Sequence, residues 1–298
     1  MSNGQPGKRE KVPKIITAFF GFFPLGLAGA IFLALLIKAY PLLSIKSLPT
    51  LIFSSAWQPS RGHFGLWPFI MGTLWVTVTA FILAVPVSVL TSIYLAEYAP
   101  ARLKRLFQPV VDLLAGLPSV IYGMWGILFI VPAVSNYLGP LFGKQTSGYS
   151  VLSGGIVLAV MILPTIISVS TEVLNSVPLS LKEAALSLGA THFEVIQQVT
   201  MRRAFPGIIA ACVLGLSRAF GETIAVLMVV GNVPIIPRSI FSPAYPLPAL
   251  LANNYGEMMS IPGYESALNL AALLLLIIVV SFSILARWYL ARISRRLG

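Results

Sequence analysis

Charged side chains are scarce in this sequence. They make up 10% of the 298 residues, whereas hydrophobic residues make up 57%. Soluble domains carry about a quarter charged residues, so this composition excludes a water-soluble globular protein. Because roughly 20 consecutive apolar residues span a bilayer, the chain has room for about six spanning helices and their loops. We therefore expect an all-α integral membrane protein.

Cysteine and histidine are almost missing as well. The single cysteine, Cys212, lies inside an apolar segment and excludes an intrachain disulfide. Its surroundings suggest neither a metal ligand nor a nucleophile, and the two histidines, His63 and His192, are isolated from each other in the sequence. The sequence therefore predicts no metal site, no cofactor and no catalytic residue.

Acidic residues are few, with 9 Asp and Glu against 20 Lys and Arg, for a formal net charge of +11. In a soluble protein such an excess would favour a nucleic-acid partner. In a membrane protein, basic residues more often hold loops on the cytoplasmic side. We therefore expect no nucleic-acid partner and a multi-pass protein of the plasma or inner membrane.

Apolar runs predict six spans, at about 16–37, 68–95, 109–134, 151–171, 205–231 and 267–288. They divide the chain into an N-terminal tail (1–15), a first helix with its extracytoplasmic connector (16–67), a transmembrane domain (68–290) and a C-terminal tail (291–298). With both tails in the cytoplasm, most Lys and Arg residues of the loops fall on the inner side. This orientation places 172–204 inside the cell and the proline-rich loop 232–266 outside, where it is either a docking surface or a merely stiff loop.

The polar segment between the fourth and fifth spans has two capping-box patterns, Ser180 with Glu183 and Thr191 with Glu194. Gly189 lies between them and can end the first helix in a left-handed conformation. The segment is thus predicted as helix, turn and helix. On capping alone, an ordinary connector between two spans is the simpler interpretation.

Residues 183–190, EAALSLGA, resemble the Glu-Ala-Ala (EAA) loop of ABC importer permeases. The matching positions are Glu183, Ala184, Ala185 and Gly189, and Arg202 stands where the family has a proline. In that family the loop docks into a cleft of a cytoplasmic ATPase. The resemblance therefore implies a fold like that of type I ABC importers, with an ATPase-coupling loop at 180–204.

Two ionisable residues, Arg218 and Glu222, lie inside the predicted fifth span. An arginine near the bilayer centre costs a few kcal/mol and needs a partner or water. Four residues apart on one helix, the two would share a face. They could form an ion pair that locks helix packing, or Arg218 could bind an oxyanion with its fork of donors. Both roles could also coexist.

Three segments together resemble the PstC-type permeases of phosphate ABC transporters: 215–232 (GLSRAFGETIAVLMVVGN), 84–100 and 117–127. The resemblance covers about 68–290 and implies an importer of inorganic phosphate in which Arg218 and Glu222 are needed for transport. Further candidates for the substrate path are Thr223, which adjoins Glu222, and Ser119 and Tyr122. For Ser119 and Tyr122, packing between helices is the simpler role. Implied partners are a PstA-type permease as heterodimer partner, two copies of a PstB-type ATPase and an extracytoplasmic PstS-type phosphate-binding protein.

Other functions remain open at the level of sequence. The same loop would serve an importer of molybdate, sulfate or phosphonate, whereas an anion facilitator would need no ATPase, and a structural or sensory protein would move no substrate. The run GPLFGKQ at 139–145 resembles a Walker A loop, but its spacing is short and Gln145 replaces Ser or Thr. We therefore expect a permease that is not an enzyme, with ATP hydrolysis on a separate subunit.

Overall fold

The computed structural model describes residues 8–257 and 260–297, with side chains at 17, from 19 to 257 and from 260 to 292. Within these residues six helices are long and apolar enough to cross a membrane, which confirms the predicted number of spans. They are Phe19–Ile45, Trp67–Tyr98, Ser119–Leu141, Val151–Asn175, His192–Gly221 and Tyr264–Arg292.

The helices are named here in chain order. They are α1 (Lys8–Ile45), α2 (Leu48–Phe53), α3 (Trp67–Tyr98), α4 (Ala101–Gly116), α5 (Ser119–Leu141), α6 (Val151–Asn175), α7 (Leu179–Ser187), α8 (His192–Gly221), α9 (Ile224–Val229), α10 (Leu247–Asn254) and α11 (Tyr264–Leu297). A short hairpin, β1 (Trp57–Gln58) and β2 (His63–Phe64), lies between α2 and α3. Several long helices contain wide π-helical turns, among them Tyr94–Tyr98 at the end of α3 and Val195–Thr200 in α8.

The core of the bundle is formed by α3, α6 and α8. Buried residues from all three pack together, including Val76 and Ala80 of α3, Ile162 of α6 and Ala211 of α8. Small residues let these helices approach closely, because a Cβ added at Gly155 would lie 2.5 Å from Cγ2 of Thr79. Helix α1, by contrast, packs mainly against α11 at the edge of the bundle.

The third span differs from its prediction at 109–134. Helix α4 already begins at Ala101, before the predicted span, and includes the basic residues Arg102, Lys104 and Arg105. The spanning helix α5 begins only at Ser119. The break lies at Leu117 and Pro118, both in extended conformation. Proline lacks an amide hydrogen and disfavours a helical residue before it, so the helix ends there. The interval between the predicted third and fourth spans, residues 135–150, is shortened accordingly, because α5 continues to Leu141.

The expected continuous fifth span at 205–231 is also wrong. Helix α8 ends at Gly221, Glu222 has an extended conformation with ψ of 128°, and a separate short helix α9 follows. Arg218 and Glu222 therefore do not share a helix face as predicted.

The segment 232–266 is only partly a loop. Residues 244–250 are buried, and α10 begins among them. The amide of Leu247 donates to Oγ1 of Thr73 in α3 at 2.9 Å, and the backbone of Tyr245 lies against Gly72. Only the remainder of this segment can serve as an exposed docking surface.

More Lys and Arg residues lie at one end of the bundle than at the other. At the end where α3 and α6 finish, called the basic end below, α4, α7 and α8 carry Arg102, Lys104, Arg105, Lys182, Arg202 and Arg203. The opposite end contains the hairpin, residues 232–257 and 260–263, and an aromatic cluster in which Trp57 and Phe64 contact Tyr264.

Candidate substrate path and coupling segment

Arg218 lies in the last turn of α8 and reaches two other helices. Its Nη1 donates to Oγ1 of Thr165 in α6 at 2.9 Å, and its Nη2 donates to the carbonyl oxygen of Ala115 in α4 at 3.4 Å. Thr165 lies ~21 Å along the 25-residue helix α6, at about 1.5 Å per residue. The guanidinium is therefore held near the middle of the spanning region.

Glu222 does not pair with Arg218. Among the side chains described, ion pairs join Lys38 to Glu265 and Lys182 to Glu97, and neither involves Arg218. Instead, Oε1 of Glu222 accepts a hydrogen bond from the amide of Ala225 at 3.1 Å. A carboxylate at this position stabilises the first turn of α9. The ion pair, which was one of the alternatives that the sequence left open, is thus replaced by a capping interaction, because the helix breaks between the two residues.

The other candidate path residues lie around the break between α4 and α5 and on the link before α9. Tyr122 is buried, and its hydroxyl donates to the carbonyl oxygen of Leu114 at 2.6 Å. Ser119 is the first residue of α5, and within the described residues no hydrogen bond joins it to Arg218. The hydroxyl of Thr223 donates weakly to the carbonyl oxygen of Gly221 at 3.4 Å. The structure thus brings Arg218 and Tyr122 to the same end of α4.

Sequence reasoning missed Thr165. It is a polar residue next to Pro164 in the middle of the apolar helix α6. Polar residues inside spans usually face the bundle interior, and that signal could have found it. The carbonyl oxygen of Ala115 has no such signal, because it is a backbone atom exposed by the end of α4.

The predicted helix-turn-helix at the basic end is present, with one difference. The Thr191 hydroxyl accepts from the amide of Glu194 at 3.3 Å, and the Glu194 carboxylate accepts from the amide of Thr191 at 2.8 Å, which is the predicted capping box. Gly189 has a φ of +88° and makes the turn. The box predicted at Ser180 and Glu183 is absent, because α7 begins at Leu179 after Pro178 and so contains Ser180.

The tip of this segment is exposed, and much of it is apolar. Glu183, Ala184 and Gly189 are exposed, and Ala185 is half-buried. Leu188 is 90% exposed, and the exposed side chains of Leu186 and Phe193 lie near it in the sequence. Clustered exposed apolar side chains mark interaction sites. At the basic end of a membrane bundle, such a surface fits contact with another protein.

Comparison with known proteins agrees with this architecture. The structure is similar to that of the MetNI methionine ABC transporter in an inward-facing conformation, with a TM-score of 0.57 and 20% sequence identity over 78% of this chain and 97% of the other. The bundle and its exposed helix-turn-helix thus have the fold of an ABC importer permease. Residues 88–298 match the family described as binding-protein-dependent transport system inner membrane component.

Similar sequences narrow this class. The chain is 35% identical to the phosphate transport system permease protein PstC of Xylella fastidiosa over 95% of this chain and 91% of the relative. It is 39% identical to the probable ABC transporter permease protein YqgH of Bacillus subtilis over 79% of this chain and 75% of the relative. The chain belongs to the binding-protein-dependent transport permeases, and within them to the PstC-type permeases. It is therefore a multi-pass membrane permease that works with an ATPase and a substrate-binding protein, and it is not itself an enzyme.

Proposed function

We propose that this protein is the permease subunit of an ATP-driven importer of inorganic phosphate and that it forms half of the translocation path. The observation that carries the proposal is the set of groups that contact the side chain of Arg218. Its hydrogen-bond partners, Thr165 and Ala115, are uncharged, and no carboxylate among the described side chains pairs with it. The positive charge thus remains available to an anion near the middle of the bundle.

The chemistry of phosphate suits this arrangement. A guanidinium presents a planar fork of donors that matches the oxygens of phosphate, and charged hydrogen bonds are stronger than neutral ones. An arginine within the membrane is costly on its own, so a passing anion stabilises it. A single arginine attracts the anion yet binds it weakly enough for release. Tyr122 and Ser119 line the same region of the path, and Thr223 follows on the link beyond Glu222.

The partners follow from the same proposal. A PstA-type permease forms the other half of the path, and two PstB-type ATPases bind at the basic end through the surface of Glu183, Ala184, Ala185 and Gly189. A PstS-type binding protein delivers phosphate at the opposite end. The concentration of Lys and Arg at the basic end supports a cytoplasmic location for that end and for both termini.

The test is ATP-dependent uptake of labelled phosphate by the complete transporter, with molybdate and sulfate as competitors. We expect that neither molybdate nor sulfate inhibits phosphate uptake. In Arg218→Gln, uptake should fall at least about tenfold, because the anion loses its charged partner. Arg292→Gln is the matched control, since Arg292 lies over Trp288 near the end of α11. It should transport phosphate like the unchanged protein.

Each contrary outcome identifies a different error. Uptake blocked by molybdate or sulfate would assign another oxyanion to the same transporter. Uptake without ATP would assign an anion facilitator. Unchanged uptake in Arg218→Gln would leave the arginine as a packing element.

A further inference from the structure

Three consecutive residues at the end of α3 each contact a different helix. The carbonyl oxygen of Ala96 accepts from Nζ of Lys104 in α4 at 2.9 Å. Glu97 accepts from Nζ of Lys182 in α7 at 2.7 Å. The ring of Tyr98 meets that of His192, the first residue of α8, edge-on with centroids 5.7 Å apart. Residues 96–98, called the junction below, thus connect α3 to α4, α7 and α8.

The Glu97–Lys182 pair differs from an ordinary surface ion pair. The side chain of Glu97 is 7% exposed and that of Lys182 is 19% exposed. The other described pair, Lys38 with Glu265, is 58% and 47% exposed. Exposed pairs contribute little, whereas removal of one partner from a buried pair leaves an uncompensated charge. Glu97 therefore holds Lys182, and with it α7, at a fixed position on α3.

Helix α4 extends from the junction to the arginine. Lys104 lies in its first turn, and Ala115, next to its last residue, accepts the hydrogen bond from Arg218. The helix has 16 residues and is ~24 Å long, at about 1.5 Å per residue. At the far end of α4, the carbonyl oxygen of Leu114 also accepts a hydrogen bond from the hydroxyl of Tyr122. A shift of α3 at the junction therefore reaches the candidate substrate path through one helix.

The route along the chain from α7 to Arg218 is less direct. It passes the left-handed turn at Gly189 and the π-helical turn Val195–Thr200 before it enters the regular part of α8. The contacts of Glu97 with Lys182 and of Ala96 with Lys104 bypass both of these segments and enter α3 at its own π-helical turn, Tyr94–Tyr98.

We propose that the junction is a second coupling route, through which movement of α7 reaches α4 and Arg218. Lys182 and Glu97 are positioning residues of this route, and neither contacts the substrate. The inference rests on the proposed contact of the segment around α7 with an ATPase. It assigns a transport role to an ion pair and to a helix, α4, that the substrate-path residues alone do not require.

The test is a charge-reversal cycle in the complete transporter reconstituted in proteoliposomes. The measured quantity is phosphate imported per ATP hydrolysed, which a merely structural defect in assembly would not change. Lys182→Glu and Glu97→Lys should each lower this ratio at least tenfold. The double reversal should return it to within about threefold of the unchanged protein, because the pair can form again in the opposite sense.

The same charge reversals at Lys38 and Glu265 are the matched control. They should leave the amount of phosphate imported per ATP within twofold of that of the unchanged protein. A normal ratio in the single Lys182 or Glu97 reversals, or a double reversal no better than the single ones, would overturn the proposal. If transporters that carry a single reversal do not assemble, the neutral variants Lys182→Gln and Glu97→Gln are used instead. The double neutral variant should then be no worse than either single variant, and additive losses would contradict the route.

A second readout does not depend on the substrate. In a Cys212→Ala background, Ala115→Cys places a thiol at the end of α4 and keeps the backbone oxygen that Arg218 contacts. ATP should change the rate of its modification by a methanethiosulfonate at least threefold, and Lys182→Glu should remove that response. A response that persists in Lys182→Glu, or none in the background, would refute the route even if the transported anion were not phosphate.

Discussion

Arg218 donates a hydrogen bond of 2.9 Å to Thr165, a residue 53 positions earlier in the chain. This contact, together with the carbonyl oxygen of Ala115, fixes the guanidinium between α6 and α4. Both acceptors are neutral, so they orient the charge without neutralising it. For the anion contact proposed above, the arginine is already oriented, which reduces the ordering that such binding requires.

Thr165→Val tests this orientation. The valine keeps the shape of threonine but removes the acceptor, and a hydrogen bond to a charged group contributes about 1.5–3 kcal/mol. We expect the rate of phosphate uptake to fall roughly tenfold. Thr165→Ser keeps a hydroxyl and should retain most of the activity. Equal uptake in the valine and serine variants would show that the bond to Arg218 does not matter for transport.

Substitutions of Glu222 separate its charge from its capping role. Glu222→Gln keeps an oxygen that can accept from the amide of Ala225, whereas Glu222→Ala does not. Loss of a helix cap costs ~1 kcal/mol. We expect intermediate uptake in the glutamine variant and a loss of about fivefold or more in the alanine variant. Uptake by the alanine variant equal to that of the glutamine variant would argue that the carboxylate acts through its charge alone.

Gly189→Val tests the turn of the segment around α7. Gly189 has a φ of +88°, a conformation that costs an ordinary residue about 1–2 kcal/mol and a β-branched residue more. We expect a protein that inserts in the membrane, no longer co-purifies with its ATPase and imports no phosphate.

The matched control for this substitution is Gly143→Val. Gly143 has a φ of +65° and, like Gly189, open space around an added Cβ, but it follows α5 at the opposite end. It should leave ATPase binding intact. Loss of ATPase binding in both variants would indicate general misfolding rather than a specific effect at the turn.

Gly155→Ala tests the close packing of α3 on α6. An added Cβ would lie 2.5 Å from Cγ2 of Thr79, whose hydroxyl is held by the carbonyl oxygen of Trp75 at 2.7 Å. Overpacking of this kind costs about 1–3 kcal/mol. The Tm of the detergent-solubilised protein should therefore fall. At the neighbouring Gly154 the nearest atom is 3.4 Å away, so Gly154→Ala should leave the Tm almost unchanged.

The sequence predicted features that depend on a few adjacent residues. The capping box of Thr191 and Glu194 and the left-handed turn at Gly189 are both present, because side chains and backbone within one turn determine them. The box at Ser180 failed for a local reason too, since Pro178 is well placed to precede the first residue of a helix and starts α7 before Ser180.

Features that depend on packing between helices distant in the sequence could not be predicted. The break at Glu222 and Thr223 lies inside the segment predicted as one span, and the overall hydrophobicity of that segment does not distinguish one continuous helix from a long helix followed by a short one. The contact of Lys182 with Glu97 joins residues 85 positions apart. Such pairs depend on how closely helices approach, and the chain's local preferences do not determine that distance.

Helix α3 is held by hydrogen bonds and close packing near both of its ends. At one end Glu97 holds α7, and at the other the buried hydroxyl of Thr73 accepts from Leu247 while the backbone of Tyr245 rests on Gly72. With 32 residues the helix is ~48 Å long, at about 1.5 Å per residue. Under the coupling route proposed above, a tilt of α3 that begins at the basic end also displaces the segment that holds Leu247 at the opposite end, so the two ends of the bundle move together.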